Sequence, residues 1–160
     1  MSEIVRVSHE DPVLRTFVLF MQVASAVYKY VDSRFYHGSR LTTPKFVALT
    51  VLISNGGTMT NTELANWTNT KRHNITALVD RMDKDGFVTT QRRPEDKRYL
   101  EISITDKGRT VQKETRPVAR QIMQELMRVI GQNDALELER LLMAVKTNIE
   151  QNSEKKPRSE

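Results

Sequence analysis

Basic side chains that can bind phosphate are concentrated in one stretch of the chain, residues 70 to 98. This stretch holds eight Lys and Arg residues against five Asp and Glu residues, whereas the whole chain of 160 residues has 25 against 20. Four of the eight fall within residues 92 to 98. Each cation that neutralises a phosphate releases condensed counterions, so a local excess of cations favours binding of a polyanion. Taken alone, such a run is also typical of a solvated surface.

The residues around the start of this stretch predict two helices joined by a tight turn. Thr60 and Glu63 have the spacing of a capping box, in which each side chain bonds the other residue's backbone amide. A turn is predicted at residues 68 to 70, and Gly86 stands where the second helix needs a left-handed residue to end. The second helix carries an apolar stripe of Ile75, Leu78, Val79 and Met82. Two helices in this arrangement form a helix-turn-helix, which lays its second helix in the major groove of DNA.

Two short strands are predicted after the second helix. Residues 87 to 91 and 99 to 104 are rich in β-branched and aromatic types, and the second run alternates apolar and polar residues. The basic segment 92 to 98 joins them. A hairpin tip gains nothing by itself from concentrated arginine, but a tip that lies along a duplex does, because its cations meet phosphates. The sequence therefore predicts a mainly α fold with a small β-wing, a winged helix-turn-helix that carries the basic residues.

The order of these elements and several short motifs resemble the MarR family of winged helix-turn-helix regulators. The matching motifs are Leu-Val-Asp-Arg at residues 78 to 81, Gly86 before the wing, and Asp-Lys-Arg at residues 96 to 98. The segment Ile-Thr-Asp-Lys-Gly at residues 104 to 108 matches a further motif, with Ile104 in place of the family's leucine. As an ordered set, these motifs are specific.

The resemblance covers residues 11 to 150 and implies a division into parts. Residues 41 to 105 would form the winged helix-turn-helix DNA-binding region. Residues 11 to 37 and 106 to 150 would form dimerisation helices on either side of it. The remaining ends, residues 1 to 10 and 151 to 160, are expected to be a flexible N-terminus and a disordered polar tail.

The apolar stripes of the terminal helices also favour a dimer. Asp11 and Pro12 can start a long helix whose apolar residues recur at helical intervals, and residues 138 to 149 carry a second stripe. A winged helix-turn-helix does not need these helices to bury its own core, although they could also pack only on that core. A two-fold homodimer, as the resemblance implies, would present two recognition helices about one turn of DNA apart, and would require a pseudo-palindromic operator.

The predicted helix-turn-helix offers side chains that can read bases and bind phosphates. Asn can form two hydrogen bonds with the major-groove edge of adenine, and Arg can do so with guanine. The predicted contacts on the recognition helix are Thr70, Lys71, Arg72, His73, Asn74, Thr76, Ala77 and Arg81, the last toward phosphate. At the start of the preceding helix, backbone amides and hydroxyls are the predicted phosphate contacts, at Thr60, Asn61 and Thr62. His73 could equally be an ordinary exposed residue, and Trp67 is expected in the core.

The wing residues have two predicted roles. Arg92, Arg93 and Lys97 are expected to contact phosphates. By the resemblance, Arg98 matches an arginine that enters the minor groove, and Asp96 matches the acid that positions the arginines of the wing. Asp96 is therefore expected to organise the wing and not to touch DNA, because a carboxylate that faces phosphates would be repelled.

The sequence lacks the motifs of catalytic and metal sites. It has no cysteine, its three histidines lie far apart at positions 9, 37 and 73, and it has no HExxH, P-loop or GxSxG motif. We therefore predict no catalytic residues, no metal and no cofactor, and expect that the chain is not an enzyme. No apolar stretch approaches the ~20 residues of a membrane span. The N-terminus also lacks a signal-peptide pattern, which predicts a cytoplasmic protein with no membrane partner.

A small organic effector is the remaining route of control, because cysteine and an evident metal cluster are absent. It would lie between the dimerisation helices and the reading unit. The candidate lining residues are Tyr28, Tyr36, His37 and Phe46. Each of them could instead be a plain core residue.

These patterns predict a sequence-specific double-stranded DNA-binding regulator, a repressor that acts as a homodimer on a pseudo-palindromic operator. Two alternatives stay open at this point: a sequence-nonspecific architectural DNA-binding protein, and a winged-helix module that binds other proteins. A protein-binding module would favour acidic residues on the recognition helix and a neutral wing. This chain instead has Lys71, Arg72 and a basic wing.

Overall fold

The structure is a computed structural model that describes residues 11–38, 41–92 and 100–154, without the side chains of residues 36–38 and 153–154. The chain divides into two compact units, one that ends at Ile122 and one that begins at Met123. None of the described helices is long and apolar enough to cross a membrane.

In the described part of the chain, six helices and three strands follow one another. The helices are α1 (Pro12–Gly38), α2 (Thr43–Ser54), α3 (Asn61–Trp67), α4 (Arg72–Lys84), α5 (Asp106–Met127) and α6 (Gln132–Glu154). The strands are β1 (Thr58–Thr60), β2 (Val88–Arg92) and β3 (Leu100–Ile104). This order of elements is the predicted mainly helical fold with a small β-wing.

The two helices of the helix-turn-helix begin and end as predicted. Thr60 Oγ1 accepts a hydrogen bond from the Glu63 amide, and Glu63 Oε2 accepts one from the Thr60 amide at 2.7 Å, so the capping box of α3 is complete. At the other end of the pair, Gly86 has φ +73°. The Phe87 amide there donates to the Met82 carbonyl at 2.9 Å, which closes the C-terminus of α4 in a Schellman motif.

The wing is a three-stranded antiparallel sheet in the order β1-β3-β2. Val88 pairs with Ile104 and Arg92 with Leu100, while Met59 of β1 pairs with Ile102. The sequence predicted β2 and β3 but not β1. A strand of three residues is too short to show an alternating pattern, and it forms here because β3 has a free edge beside it.

One apolar core joins α2, α3, α4 and the sheet. The stripe of α4 is buried, and it packs with side chains of the other elements of this core. The largest fully buried side chains are Leu49, Leu52, Leu64, Ile75, Met82, Ile102, Val79 and Val88. Because these residues come from α2, α3, α4 and two strands of the sheet, the buried stripe of α4 packs against several elements at once.

A tight junction connects the wing to α5. The Thr105 amide donates to the Phe87 carbonyl at 3.0 Å, and Thr105 Oγ1 donates to the Gly86 carbonyl at 2.7 Å. The same hydroxyl accepts from the Gly108 amide at 3.0 Å and so caps α5. A Cβ on Gly108 would overlap the Phe87 carbonyl oxygen. These contacts give a physical reason for the Thr-Asp-Lys-Gly segment, because only glycine allows the helix to approach this closely.

We expect Gly108→Ala to lower the free energy of unfolding by about 1–3 kcal/mol, because the added methyl must push α5 away from the Phe87 backbone. Urea denaturation followed by circular dichroism measures the change. Gly131→Ala is the matched control, since a Cβ there would meet its nearest neighbour at 3.4 Å, an ordinary contact. The control should change stability by no more than ~1 kcal/mol in either direction. Equal effects of the two substitutions would contradict the close approach at Gly108.

Two details of the chain differ from the sequence-based expectations. Helix α6 continues to Glu154, so residues 151 to 154 are helical and do not belong to a disordered tail. Trp67, which was expected in the core, is 62% exposed at the last position of α3. The predicted flexible segment 1 to 10 and the last residues, 155 to 160, lie outside the described residues.

Candidate nucleic-acid interface

The first turn of α4 presents four consecutive side chains on the surface. Lys71 precedes the helix with an extended backbone, and Arg72, His73 and Asn74 form its first three positions. All four are exposed, and within the described part of the chain none of these side chains takes part in a hydrogen bond or an ion pair. No acidic residue lies in this first turn. The end of the helix that is predicted to enter the groove is therefore positive and free to bind.

The turn before α4 is closed by its own hydrogen bonds. Asn69 has φ +47°, a left-handed conformation that Asn tolerates better than most residues. The Thr70 amide donates to the Ala65 carbonyl at 2.9 Å, and Thr70 Oγ1 donates to the Thr68 carbonyl at 3.1 Å. Thr70, a predicted base contact, is half-buried, and its hydroxyl proton is used within the turn. These two bonds hold Thr70 in the turn immediately before α4.

Of the predicted DNA contacts later in α4, two are exposed and one is hydrogen-bonded within the protein. Ala77 and Arg81 are exposed, as their predicted roles require. Thr76 is half-buried, and its hydroxyl is bonded on both sides: it accepts from Asn61 Nδ2 at 2.8 Å and donates to the Arg72 carbonyl at 3.1 Å. A side chain that was expected to face DNA is thus tied to the protein itself.

Two of the three predicted phosphate contacts on α3 have their side chains turned inward. Thr60 and Asn61 are buried, with Thr60 engaged in the capping box and Asn61 bonded to Thr76. Neither side chain is available on the surface, and the Thr60 amide is engaged by Glu63, so the predicted phosphate contact at these two positions is left to the Asn61 backbone amide. Thr62 is half-exposed and stays a candidate. The inward side chain of Asn61 follows from helical spacing, because Asn61 shares one face with the buried Leu64 and Ala65.

The base of the wing is described, and its tip is not. Arg92 is exposed at the end of β2, opposite Leu100 at the start of β3. The predicted contacts Arg93, Lys97 and Arg98, together with the predicted organiser Asp96, lie outside the described residues.

Contacts that sequence reasoning missed hold the C-terminal end of α4. Asp85 Oδ2 accepts from Lys45 Nζ of α2 at 2.5 Å, and the Asp85 carbonyl accepts from Lys107 Nζ of α5 at 2.6 Å. The Lys107 ammonium also lies 5.4 Å from the centre of the Phe87 ring. Acid and base types at these positions gave no hint of pairing, because 40 residues separate Lys45 from Asp85 along the chain. The reading helix is therefore anchored at the end opposite its free first turn.

Side chains are described for only two of the four candidate effector residues, Phe46 and Tyr28. Phe46 is half-buried, packs against the core, and lies 5.3 Å from Phe35 between ring centres. Phe46 thus follows the plain-core alternative. Tyr28 is exposed, whereas the side chains of Tyr36 and His37 are outside the described part of the chain.

Two proteins named as repressors resemble the chain in sequence. It is 33% identical over 81 residues to the HTH-type transcriptional repressor YetL of Bacillus subtilis (strain 168), a match that covers 50% of this chain and 48% of YetL. The match thus spans about half the length of that relative. The chain is 28% identical over 149 residues to the HTH-type transcriptional repressor IacR of Pseudomonas putida, with 89% of each protein covered.

Solved structures of regulators share the fold. A mutant MarR from E. coli complexed with operator DNA has a TM-score of 0.72 at 21% identity, and the match covers 84% of this chain and 96% of that one. The organohalide-sensing transcriptional regulator RdhR in its 2,4-dichlorophenol-bound form has a TM-score of 0.73 at 21% identity, with 83% and 80% covered. These likenesses confirm the predicted fold, a winged helix-turn-helix with further N- and C-terminal helices.

The MarR family model matches residues 41 to 100, which run from the start of the α2 region to the start of β3. This segment contains the whole helix-turn-helix and most of the wing. Regulators of this family are not enzymes, in agreement with the expectation from the sequence. The family match, the relatives and the shared fold agree with the motifs quoted from the sequence: over residues 41 to 100, the chain matches the MarR family of winged helix-turn-helix transcriptional regulators.

Proposed function

We propose that the chain is a sequence-specific transcriptional repressor that binds a pseudo-palindromic operator as a homodimer. The observation that carries the proposal is the free first turn of α4, where residues 71 to 74 are exposed and unpaired above a fully buried stripe. Acting on operator DNA, the protein would work in the cytoplasm. Repression is favoured over activation because both relatives named above are repressors.

Each side chain of this turn has a chemical role in the proposal. Arg72 and Asn74 would read guanine and adenine edges through paired hydrogen bonds in the major groove. Lys71, Arg81 and Thr62 would bind phosphates and so fix the register of α4 on the duplex. In the wing, Arg98 would enter the minor groove.

The proposed dimer is supported by apolar side chains that stay exposed on the terminal helices. On α1, Phe17 is 58% exposed and Tyr28 is 60% exposed. On α6, Val145 is 47% exposed and Ile149 is 56% exposed. Proteins that act alone rarely leave such stripes in water, because burying apolar surface is favourable. A second copy would cover them, and two-fold symmetry would then present two copies of α4 to successive major grooves.

A small organic effector is the proposed signal. The likeness to a regulator whose structure holds 2,4-dichlorophenol supports an aromatic or anionic compound of this size. Tyr28, Tyr36 and His37 are the proposed contacts, and Phe46 is left out because it packs on Phe35. The winged helix-turn-helix of each protomer is called a reading head below. Such a ligand can shift the equilibrium between two separations of the reading heads only by as much as its binding free energy differs between them.

A fluorescence-anisotropy titration tests the proposed function. The probe is the duplex that lies upstream of the chain's own gene, and the matched control is the same duplex with its bases scrambled. We expect the native duplex to bind at least ~10³-fold more tightly at physiological salt. Both affinities should fall as salt rises. Equal affinities across the whole salt range would contradict sequence-specific reading and favour an architectural role.

The same assay tests the effector. Aromatic acids and phenols are added to the preformed complex, first with the native chain and then with Tyr36→Ala. We expect release of the DNA from the native chain, and a higher concentration for half-release from the variant. An unchanged concentration would place the effector elsewhere.

A further inference from the structure

The side chain of Asn61 lies between the two helices of the reading unit. Asn61 is the first residue of α3 and is only 7% exposed. Its Nδ2 donates to Thr76 Oγ1 at 2.8 Å, and Thr76 Oγ1 donates to the Arg72 carbonyl at 3.1 Å. Two hydrogen bonds therefore connect α3 to the first helical residue of α4, which is also a proposed base reader.

This chain of hydrogen bonds occupies the Thr76 hydroxyl. A hydroxyl has one proton to donate, and here that proton goes to the Arg72 carbonyl. A threonine that bonds the carbonyl four residues earlier competes with the backbone amide and tends to bend the helix. Asn61 holds the hydroxyl in the rotamer that makes this bond. The pair thus acts on the backbone of Arg72, and the hydroxyl cannot also donate to a base.

The apolar contacts between α3 and α4 are not directional. Leu64 and Ala65 on α3 and Ile75, Leu78 and Val79 on α4 are buried and apolar. Apolar contacts restrain the rotation and sliding of two helices only through the shapes of the packed side chains, because the hydrophobic effect itself has no direction. A hydrogen bond does have one, since its strength falls steeply with misalignment. Across the described contact of these two helices, the Asn61 amide supplies that directional restraint.

The burial of Asn61 is not explained by stability. Its Oδ1 is buried and has no hydrogen-bond partner in the described structure. A buried acceptor without a partner costs free energy, and an apolar side chain of similar size would avoid that cost. A polar residue kept at such a cost points to a geometric role.

We propose that Asn61 is a positioning residue of the DNA reader, which acts through Thr76 to set the angle at which Arg72 and Asn74 leave the first turn of α4. The proposal rests on the proposed sequence-specific DNA binding. It gives the side chains of Asn61 and Thr76 a role within the protein, where the sequence-based prediction placed both residues against DNA.

The double variant Asn61→Leu/Thr76→Val separates positioning from stability. It replaces both polar partners by apolar groups of similar shape, which leaves no new unpaired group. We expect urea denaturation to show native-like or higher stability. The ratio of operator to scrambled affinity should fall roughly five- to tenfold, part of what a complete base contact is worth, with little change on scrambled DNA. A folded double variant with an unchanged ratio would overturn the proposal.

Two single variants cover the case in which the double variant does not fold. Thr76→Ser keeps the hydroxyl and loses the methyl, whereas Thr76→Val keeps the shape and loses the hydroxyl. Positioning predicts that the serine variant keeps the affinity ratio and the valine variant lowers it. The opposite order would mean that Thr76 reads a thymine methyl, and equal ratios would mean no role, so either result overturns the proposal. A native chain that does not distinguish the two DNAs would instead refute the proposed function itself.

Discussion

Arg72→Ala and Asn74→Ala should each weaken operator binding by about 1–3 kcal/mol, about 5- to 150-fold, with little effect on scrambled DNA. Both residues are exposed in the first turn of α4, where side chains without internal partners are free to meet base edges. The measurement is fluorescence anisotropy of both duplexes at one fixed salt concentration. Substituting each operator position in turn should show relaxed preference at one position per half-site.

The matched control for these substitutions is Lys84→Ala. Lys84 is exposed on the same helix but lies at its C-terminal end, so the variant removes one positive charge without touching the first turn. It should leave the ratio of operator to scrambled affinity unchanged. If Arg72→Ala and Asn74→Ala lower both affinities by one common factor, α4 does not read sequence.

Substitutions in the wing should affect the two duplexes equally, in contrast to substitutions in the first turn of α4. Arg98→Ala, or the joint removal of Arg92 and Arg93, should weaken binding to operator and scrambled DNA alike. Phosphate contacts carry no sequence information, and each one lost should reduce the slope of log affinity against log salt by about one. A wing variant that changes only the operator affinity would assign base reading to the wing.

The helix-turn-helix could be predicted from the sequence because its signals are local and repeated. The capping pair Thr60 and Glu63 marks the start of α3, whereas the apolar stripe and Gly86 mark the buried face and the end of α4, and the structure has all of these features. Where independent local signals coincide, the fold has little freedom to differ.

The prediction that Trp67 lies in the core was wrong because it relied on the apolar residue type and not on the position of Trp67 in its helix. Helix α3 has only seven residues, and Asn61, Leu64 and Ala65 already supply the face that it buries. At 100° per residue, Trp67 lies about 115° from the centre of the face formed by Asn61, Leu64 and Ala65, although only about 60° from Leu64. Off the centre of the buried face and at the last position of α3, its side chain is exposed, however hydrophobic it is.

Helical spacing could have predicted that the Asn61 side chain faces the core. Positions 61, 64 and 65 are one face of a helix that starts at residue 61, so the pattern places the asparagine inward with its apolar neighbours. The composition of the segment suggested phosphate binding instead, because Asn and Thr at a helix start often bind anions. Its partner Thr76 could not be identified in this way, since a bond across 15 residues depends on how the two helices pack.

Dimerisation connects the two proposed reading heads, so its loss should have the largest effect of all. The double variant Val145→Glu/Ile149→Glu places two carboxylates on the exposed apolar stripe of α6. Bringing unpaired charges into an apolar interface costs several kcal/mol per ion. We expect a monomer at micromolar concentration. Its operator affinity should be ~10²- to 10⁴-fold weaker, because each head must then bind alone.

Sedimentation equilibrium measures the assembly and fluorescence anisotropy the affinity. Thr147→Glu/Gln151→Glu is the matched control, since it adds the same charges at the same spacing to exposed polar positions of α6. It should stay a dimer with native operator affinity. Circular dichroism shows whether the monomeric variant keeps its helices, and a loss of affinity that accompanies unfolding would not count as loss of the second head. A native chain that sediments as a folded monomer, or a charged variant that stays dimeric on the operator, would remove the two-fold axis and with it the reason to expect a palindromic site.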